Sequence, residues 1–154
     1  MRILTVRQPW AWAIVHGGKD VENRVRNIAG DYRGPVAIHA GVAWDWDSQL
    51  PVGETPHPTS VSLRRGAIIG IVDLVEVHHV TTSSVPGRVG APVCWDTATP
   101  PGHLCSKWAE SFNDGWHLEV ANARPLREPF PFKGALGLRR LDDETVARVL
   151  EAIV

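Results

Sequence analysis

The sequence is poor in sulfur and in phenyl rings, with two cysteines, one methionine, one tyrosine and three phenylalanines among 154 residues. Two cysteines exclude a disulfide-stapled scaffold, and a chain of this length needs no such staples. Cys94 and Cys105 could pair, but sequence does not fix whether their Cα atoms come close enough. No apolar run approaches the length of a membrane span, and Arg2 is followed by a short strand-like run, then Pro9 and charges. That pattern is not a signal peptide, so a cytoplasmic chain with reduced thiols is expected. A formal net charge of −1 excludes a whole-molecule attraction to nucleic acid or acidic lipid. Phosphate-binding glycine loops of the P-loop or dinucleotide type are missing, as is a nucleophile elbow. His78, His79, Cys94, His103 and Cys105 match none of the usual structural zinc spacings, so no metal and no cofactor is expected.

What the chain does have is seven tryptophans, fourteen glycines and twelve prolines. Length predicts one domain over residues 1–154, large enough to bury a core. Charge is uneven along it. Residues 1–33 hold six basic residues against three acidic ones, and the remainder is acidic by four. A near-neutral protein of this kind can still present a local anion-binding face at its N-terminal third.

Ile3 to Val6 reads as a strand, Pro9 suits the first turn of a helix, and Gly17-Gly18 stops that helix after about two turns. Val21 to Arg26 alternates as a half-buried strand with Glu22, Arg24 and Arg26 on one side. Pro35 to Ala40 reads as a buried strand. Residues 44–64 form a long excursion broken by Pro51, Gly53, Pro56 and Pro58, and 81–103 a second Pro/Gly-rich loop. Between them Ala67 to Val80 is the longest β-type run, with Gly70 hinting at a bulge or bend. Lys107 to Asn113 is expected to form a helical turn. Gly115 to Leu126 reads as a strand, Pro125, Pro129 and Pro131 as an extended crossing, and Gly134 to Leu141 as a last strand. Asp142-Asp143-Glu144 opens an amphipathic closing helix. The sum is a mainly β, α+β chain of about six strands with one inserted and one terminal helix. A small closed or nearly closed β-barrel would bury such strands without leaving edges.

The run Gly17-x-Lys19-x-x-Glu22-x-Arg24 resembles the G-x-K-x-x-E-x-R signature of the ASCH domain, within the PUA-like superfamily. The preceding RQPWAWAIVHG is similar to that family's signature helix, and GPVAIHAG to its next strand. GWHLEVANARPLREPFPFKGALGL resembles its last hairpin. The resemblance covers most of the chain in order. It implies a PUA-like β-barrel with a cleft between barrel and helix, and a role in binding RNA, DNA or modified bases. A few small bacterial members are amidohydrolases on N4-acetylcytidine, using a Lys and a Thr of the signature region with a later Glu. Here Lys19 is kept and Glu22 stands where the threonine would be. Others have been described as ribonucleases.

The candidate nucleic-acid-binding residues are Arg7, Gln8, Trp10, Lys19, Arg24 and His39. Arg24 offers a planar fork to a phosphate or carboxylate, and Lys19 a mobile charge that burial could turn into a base. Glu22 could simply pair with Arg24, a contact worth little if exposed. Gln8 could read a base edge, and Trp10 could stack on a base for ~1–3 kcal/mol. Trp10 and Trp12 are two apart on a helix and point to different faces; Trp12 is expected in the core and Trp10 near the cleft. His39 could point into the cleft or be a satisfied core histidine. If the chain is an enzyme, Lys19 and Glu22 are the catalytic candidates, with Asp73 or Glu76 as a possible later acid. A ribonuclease would use Lys19 with His39. The partner is then RNA, another single-stranded nucleic acid, or a modified nucleoside, and no membrane.

Overall fold

A computed structural model describes residues 1–48, 50, 63–96 and 98–153; most of the 44–64 loop therefore lies outside the described residues. The first apolar run lies within β1 (Arg2–Gln8), followed by α1 (Trp10–His16) and β2 (Val21–Arg24). Then come β3 (Gly34–Trp44), β4 (Ala67–Thr82), β5 (Pro92–Cys94), β6 (Gly115–Pro131), β7 (Leu138–Arg140) and α2 (Asp143–Glu151). The strands form one sheet in the order β2-β6-β4-β3-β1-β7, with β5 added along β4. It curls into a half-barrel, a mainly β architecture with two helices. Only β1 and β3 run parallel, and a parallel pair needs a long crossover. Here α1 and β2 supply it, which hangs the signature segment over one mouth of the sheet.

Both faces of the central strands are covered, so β1 and β3 read as nearly continuous apolar runs rather than alternating ones. On one face Leu4, Val6, Ile38, Ile69 and Leu118 pack with Ile14 and Val15 of α1. On the other, Ile3, Ile68, Ile71 and Phe130 pack with Val149 of α2. The second helix begins where its acids foretold: the Asp142 carboxylate accepts the Thr145 N–H at 2.7 Å.

Several elements differ from the sequence expectation, among them the last strand, which spans Leu138–Arg140 and not Gly134 to Leu141. The prolines of residues 125–131 continue β6 instead of leaving it, with Pro125 opposite Gly70 and Pro131 opposite Ala67. They are tolerated because β2 pairs only with Trp116–Glu119, so the far half of β6 lies at a sheet edge, where the bridge from Leu126 to Ile153 takes its donor from Arg127 and not from a proline. β5, only three residues long, was hidden in the 81–103 loop. Lys107 to Asn113 makes a single turn and irregular backbone, not a helical turn.

Gly70 does mark an irregularity, since the β4–β6 register shifts between Ile68 and Gly70. A Cβ there would sit 2.6 Å from Val15 Cγ1 and 3.0 Å from the Arg124 carbonyl oxygen. The missing side chain is what lets α1 lie on the sheet. Gly70→Ala is expected to cost about 1–3 kcal/mol by overpacking, read as a lowered urea midpoint at unchanged slope. An unchanged midpoint would show that α1 can lift without penalty.

Candidate nucleic-acid interface

The short helix ends at Gly17-Gly18, and Gly18 takes a positive φ of 69° that few other residues tolerate. The chain turns there and drops Lys19 inward. Lys19 is 3% exposed and Glu22 7%, which answers whether the pair is a solvated surface contact. Glu22 bridges two cations: its Oε2 lies 3.9 Å from Lys19 Nζ and its Oε1 3.0 Å from Arg24 Nη2. The lysine ammonium also donates to the Val21 carbonyl, and Arg24 Nη2 donates to the Thr5 carbonyl at 3.0 Å. These contacts tie β2 to β1 and hold the guanidinium in one orientation.

Two indoles flank Lys19, with Nζ 5.5 Å from the Trp10 ring centroid and 6.0 Å from that of Trp108. Burial lowers its pKa from the ordinary 10.5, while the carboxylates of Glu22, Glu110 and Asp20 oppose the shift. Trp10 donates from Nε1 to Asp45 Oδ2 at 2.7 Å. Asn23 clamps the incoming loop, donating to the Trp108 carbonyl and accepting the Glu110 N–H, both at 3.0 Å. Lys19, Trp10, Glu22, Asn23, Asp45 and Glu110 enclose a small pocket of about 210 Å³. Beside it opens a larger cleft of about 440 Å³ between β1, β2 and the end of β3, walled by Arg7, Trp10, Glu22 and Arg24 and rimmed by Leu136. Past the end of β3, Trp46 is 84% exposed, and its ring centroid lies 5.7 Å from that of Trp44.

Of the candidates, Arg7, Trp10, Lys19, Glu22 and Arg24 gather at these two adjoining pockets. Gln8 is fully buried. Its Oε1 accepts the Trp12 N–H at 3.0 Å and its Nε2 donates to the Arg64 carbonyl at 3.2 Å, so the amide fastens the helix start. His39 lines neither pocket. It is buried beneath Gly134, with Nε2 2.9 Å from the Phe132 carbonyl, and burial lowers its pKa. The helix faces also differ from expectation. Trp10 packs on the core cluster as well as lining the cleft, whereas Trp12 lies half-buried and stacked on His16 at 6.2 Å. The fully inward positions of α1 go to Ala11, Ala13, Ile14 and Val15, because helix and sheet approach too closely for an indole. Asp73 is taken by Arg124 at 2.5 Å and Glu76 by Arg33 at 3.1 Å.

Asn23, Asp45, Trp108 and Glu110 were not singled out by sequence. Only the abundance of tryptophan hinted at them, since three of the four come from distant loops. Of the residues weighed as metal ligands, His78, Cys94 and Cys105 do come together, and they meet His117, which was not among them, with one ligand atom of each within 4.8 Å of every other. His79 faces Asp114 at 3.4 Å instead, and His103 is exposed. No helix among the described residues is long and apolar enough to cross a membrane.

The ASCH domain family model matches residues 4–129, and this chain belongs to that family. Among solved structures it is similar to a point mutant of the ASCH protein of Zymomonas mobilis, at 16% identity with a TM-score of 0.57 over 99% of this chain and 98% of that one. A second mutant of the same protein matches at 17% identity and 0.54, over 99% and 96%. ASCH from Zymomonas mobilis itself matches at 16% and 0.54, over 99% and 95%. At these identities the likeness concerns the fold.

Proposed function

We propose that this ASCH chain acts as one domain over residues 1–154 and binds a single-stranded or modified nucleic-acid segment in the cleft between β1 and β2. The family is one generally thought to bind RNA. The observation that carries the reading is that Arg7 and Arg24 both line a cleft of about 440 Å³ together with Trp10. Arg24 is held by Glu22 and the Thr5 carbonyl, so little side-chain entropy remains to be lost when it meets a phosphate or a base carbonyl. The exposed Trp46, which follows Asp45 of the smaller pocket in the chain, offers a face on which a base can stack.

A second reading is favoured by a different observation. Lys19 is desolvated between two indoles, and burial lowers its pKa against the opposing charge of Glu22 beside it. A neutral lysine amine can take a proton from an attacking water, as hydrolysis of an amide on a modified pyrimidine nucleoside such as N4-acetylcytidine would require. Its pocket of about 210 Å³ fits a small planar group, not a chain. A ribonuclease pairing Lys19 with His39 has no comparable support, because His39 lines neither pocket.

Fluorescence anisotropy with labelled single-stranded RNA at low and physiological salt tests the first reading. Affinity is expected to fall with salt. Arg7→Ala/Arg24→Ala is expected to weaken it at least about tenfold, as loss of charge-assisted contacts implies, and to flatten the salt slope by about 1.4, the share of two phosphate contacts on a single strand. Unchanged affinity in the double variant would remove the cleft from consideration. Release of acetate from N4-acetylcytidine by the wild type but not by Lys19→Ala would establish the second reading.

A further inference from the structure

We propose that His78, Cys94, Cys105 and His117 form a tetrahedral zinc site. It lies apart from the nucleic-acid cleft and fastens residues 98–114 to the sheet. Strand pairing builds the site. His78 on β4 stands directly opposite His117 on β6. Cys94 on β5 stands opposite Val80, two residues from His78 and so on the same face of β4. The loop after β5 then brings Cys105 to the other three.

The spacings around His117 are close to those of a metal's coordination shell, and the remaining ones lie within 4.8 Å. With Zn–N of about 2.05 Å and Zn–S of about 2.3 Å, a tetrahedron has edges of about 3.3 Å between two nitrogens and about 3.6 Å between nitrogen and sulfur. The structure places His117 Nδ1 3.3 Å from His78 Nε2, 3.6 Å from Cys94 Sγ and 3.2 Å from Cys105 Sγ. His78 and His117 are buried, as is Cys94, and Cys105 is half-buried.

Proton placement points the same way. His117 Nε2 lies 2.9 Å from the Glu110 carbonyl, which can only accept, so Nε2 carries the hydrogen. In the neutral ring Nδ1 then presents a lone pair to three neighbours. His78 Nδ1 has no aligned hydrogen-bond partner, and Glu119 Oε1 lies 3.3 Å from it, which leaves Nε2 as the donor atom facing the cluster. A metal-bound histidine whose second nitrogen faces a carboxylate or a backbone carbonyl is the usual outer-shell arrangement. Without a metal, two thiol protons have to satisfy a site at which two imidazole nitrogens and two sulfurs present lone pairs to one another. Two imidazoles and two thiolates suit Zn²⁺, and four protein ligands close the shell, so the site is structural, not hydrolytic. Asp96 Oδ2 stands 3.5 Å from His78 Nε2, where its charge favours a divalent cation.

The consequence reaches the signature pocket through Glu110. Its carbonyl accepts from His117 and its N–H donates to Asn23. Holding His117 therefore positions the loop that covers Lys19 with Trp108.

The test is metal analysis of the full-length chain, purified with zinc in the medium and dialysed against metal-free buffer. About one zinc per chain is expected, falling to about a tenth of that or less in Cys94→Ser/Cys105→Ser. Because that variant could fail to fold, the wild type is also stripped with chelator and titrated with Co²⁺. A saturable sulfur-to-cobalt charge-transfer band with d–d bands of tetrahedral intensity supports the site, as does a melting temperature that drops on stripping and recovers with zinc. A wild type that takes up neither metal stoichiometrically overturns the proposal. So does a cobalt complex without thiolate bands, or a Cys94–Cys105 disulfide in protein isolated under reducing conditions. None of these readouts depends on nucleic-acid binding.

Discussion

Glu22→Ala is expected to lower the unfolding free energy by about 3–5 kcal/mol, the cost of removing one partner from a buried ion pair. Glu22 is the only carboxylate within 4.0 Å of either the Lys19 ammonium or the Arg24 guanidinium among the described residues. Lys19 is nearly inaccessible to water, so removing that carboxylate leaves a buried cation with only the Val21 carbonyl as a hydrogen-bond acceptor. Urea denaturation at neutral pH measures the loss. Glu22→Gln keeps the shape and isolates the charge, and its loss should be most of that of the alanine variant. Adding Lys19→Met to Glu22→Gln should recover most of the stability, because an apolar replacement of a buried pair is often close to neutral. A loss below about 1 kcal/mol for Glu22→Ala would mean that water reaches the pair and that it behaves as a surface contact.

Trp108→Ala is expected to cost a comparable amount, about 3–5 kcal/mol, as a large buried side chain replaced by a cavity. Trp108 is buried over Lys19. Its indole N–H has no hydrogen-bond partner among the described residues, so the loss comes from packing and not from a broken bond. The substitution also admits water to the ammonium, whose pKa burial holds below 10.5. Between that lowered value and the unfolded value the unfolded chain binds more protons, so wild-type stability rises with pH across the window. Trp108→Ala should flatten that rise and move the Lys19 titration upward by NMR, and Trp108→Phe should do less of both. An unmoved titration would show that Trp10 and Glu22 alone set the environment of the lysine.

The candidate site was partly legible in the chain. Pro9 and Gly17-Gly18 bound α1 because proline and glycine restrict the backbone whatever surrounds them, and the spacing Lys19, Glu22, Arg24 placed three charged groups on one turn and strand. What sequence could not decide was how those charges met water. The same three residues on an exposed hairpin would be a weak surface network. Here Trp108 and Glu110, from a loop almost ninety positions away, seal the lysine.

Sequence by itself determined the elements whose causes are local: the mainly β composition, the short first helix, the capped second helix, the irregularity at Gly70 and the family signature. Tertiary structure alone decided everything that depends on strands pairing at long range. It turned the prolines of β6 into an edge and drew β5 out of a loop. It assigned the core face of α1 to Ala11, Ala13, Ile14 and Val15 instead of Trp12, and it buried Gln8 and His39 outside the lining of the cleft. It also brought His78 and His117, 39 positions apart, into direct register. Spacing along a chain reports a metal site only when one hairpin or helix supplies the ligands. When three strands and a loop each give one, the register of the sheet carries the information, and that register is fixed by burial on both faces.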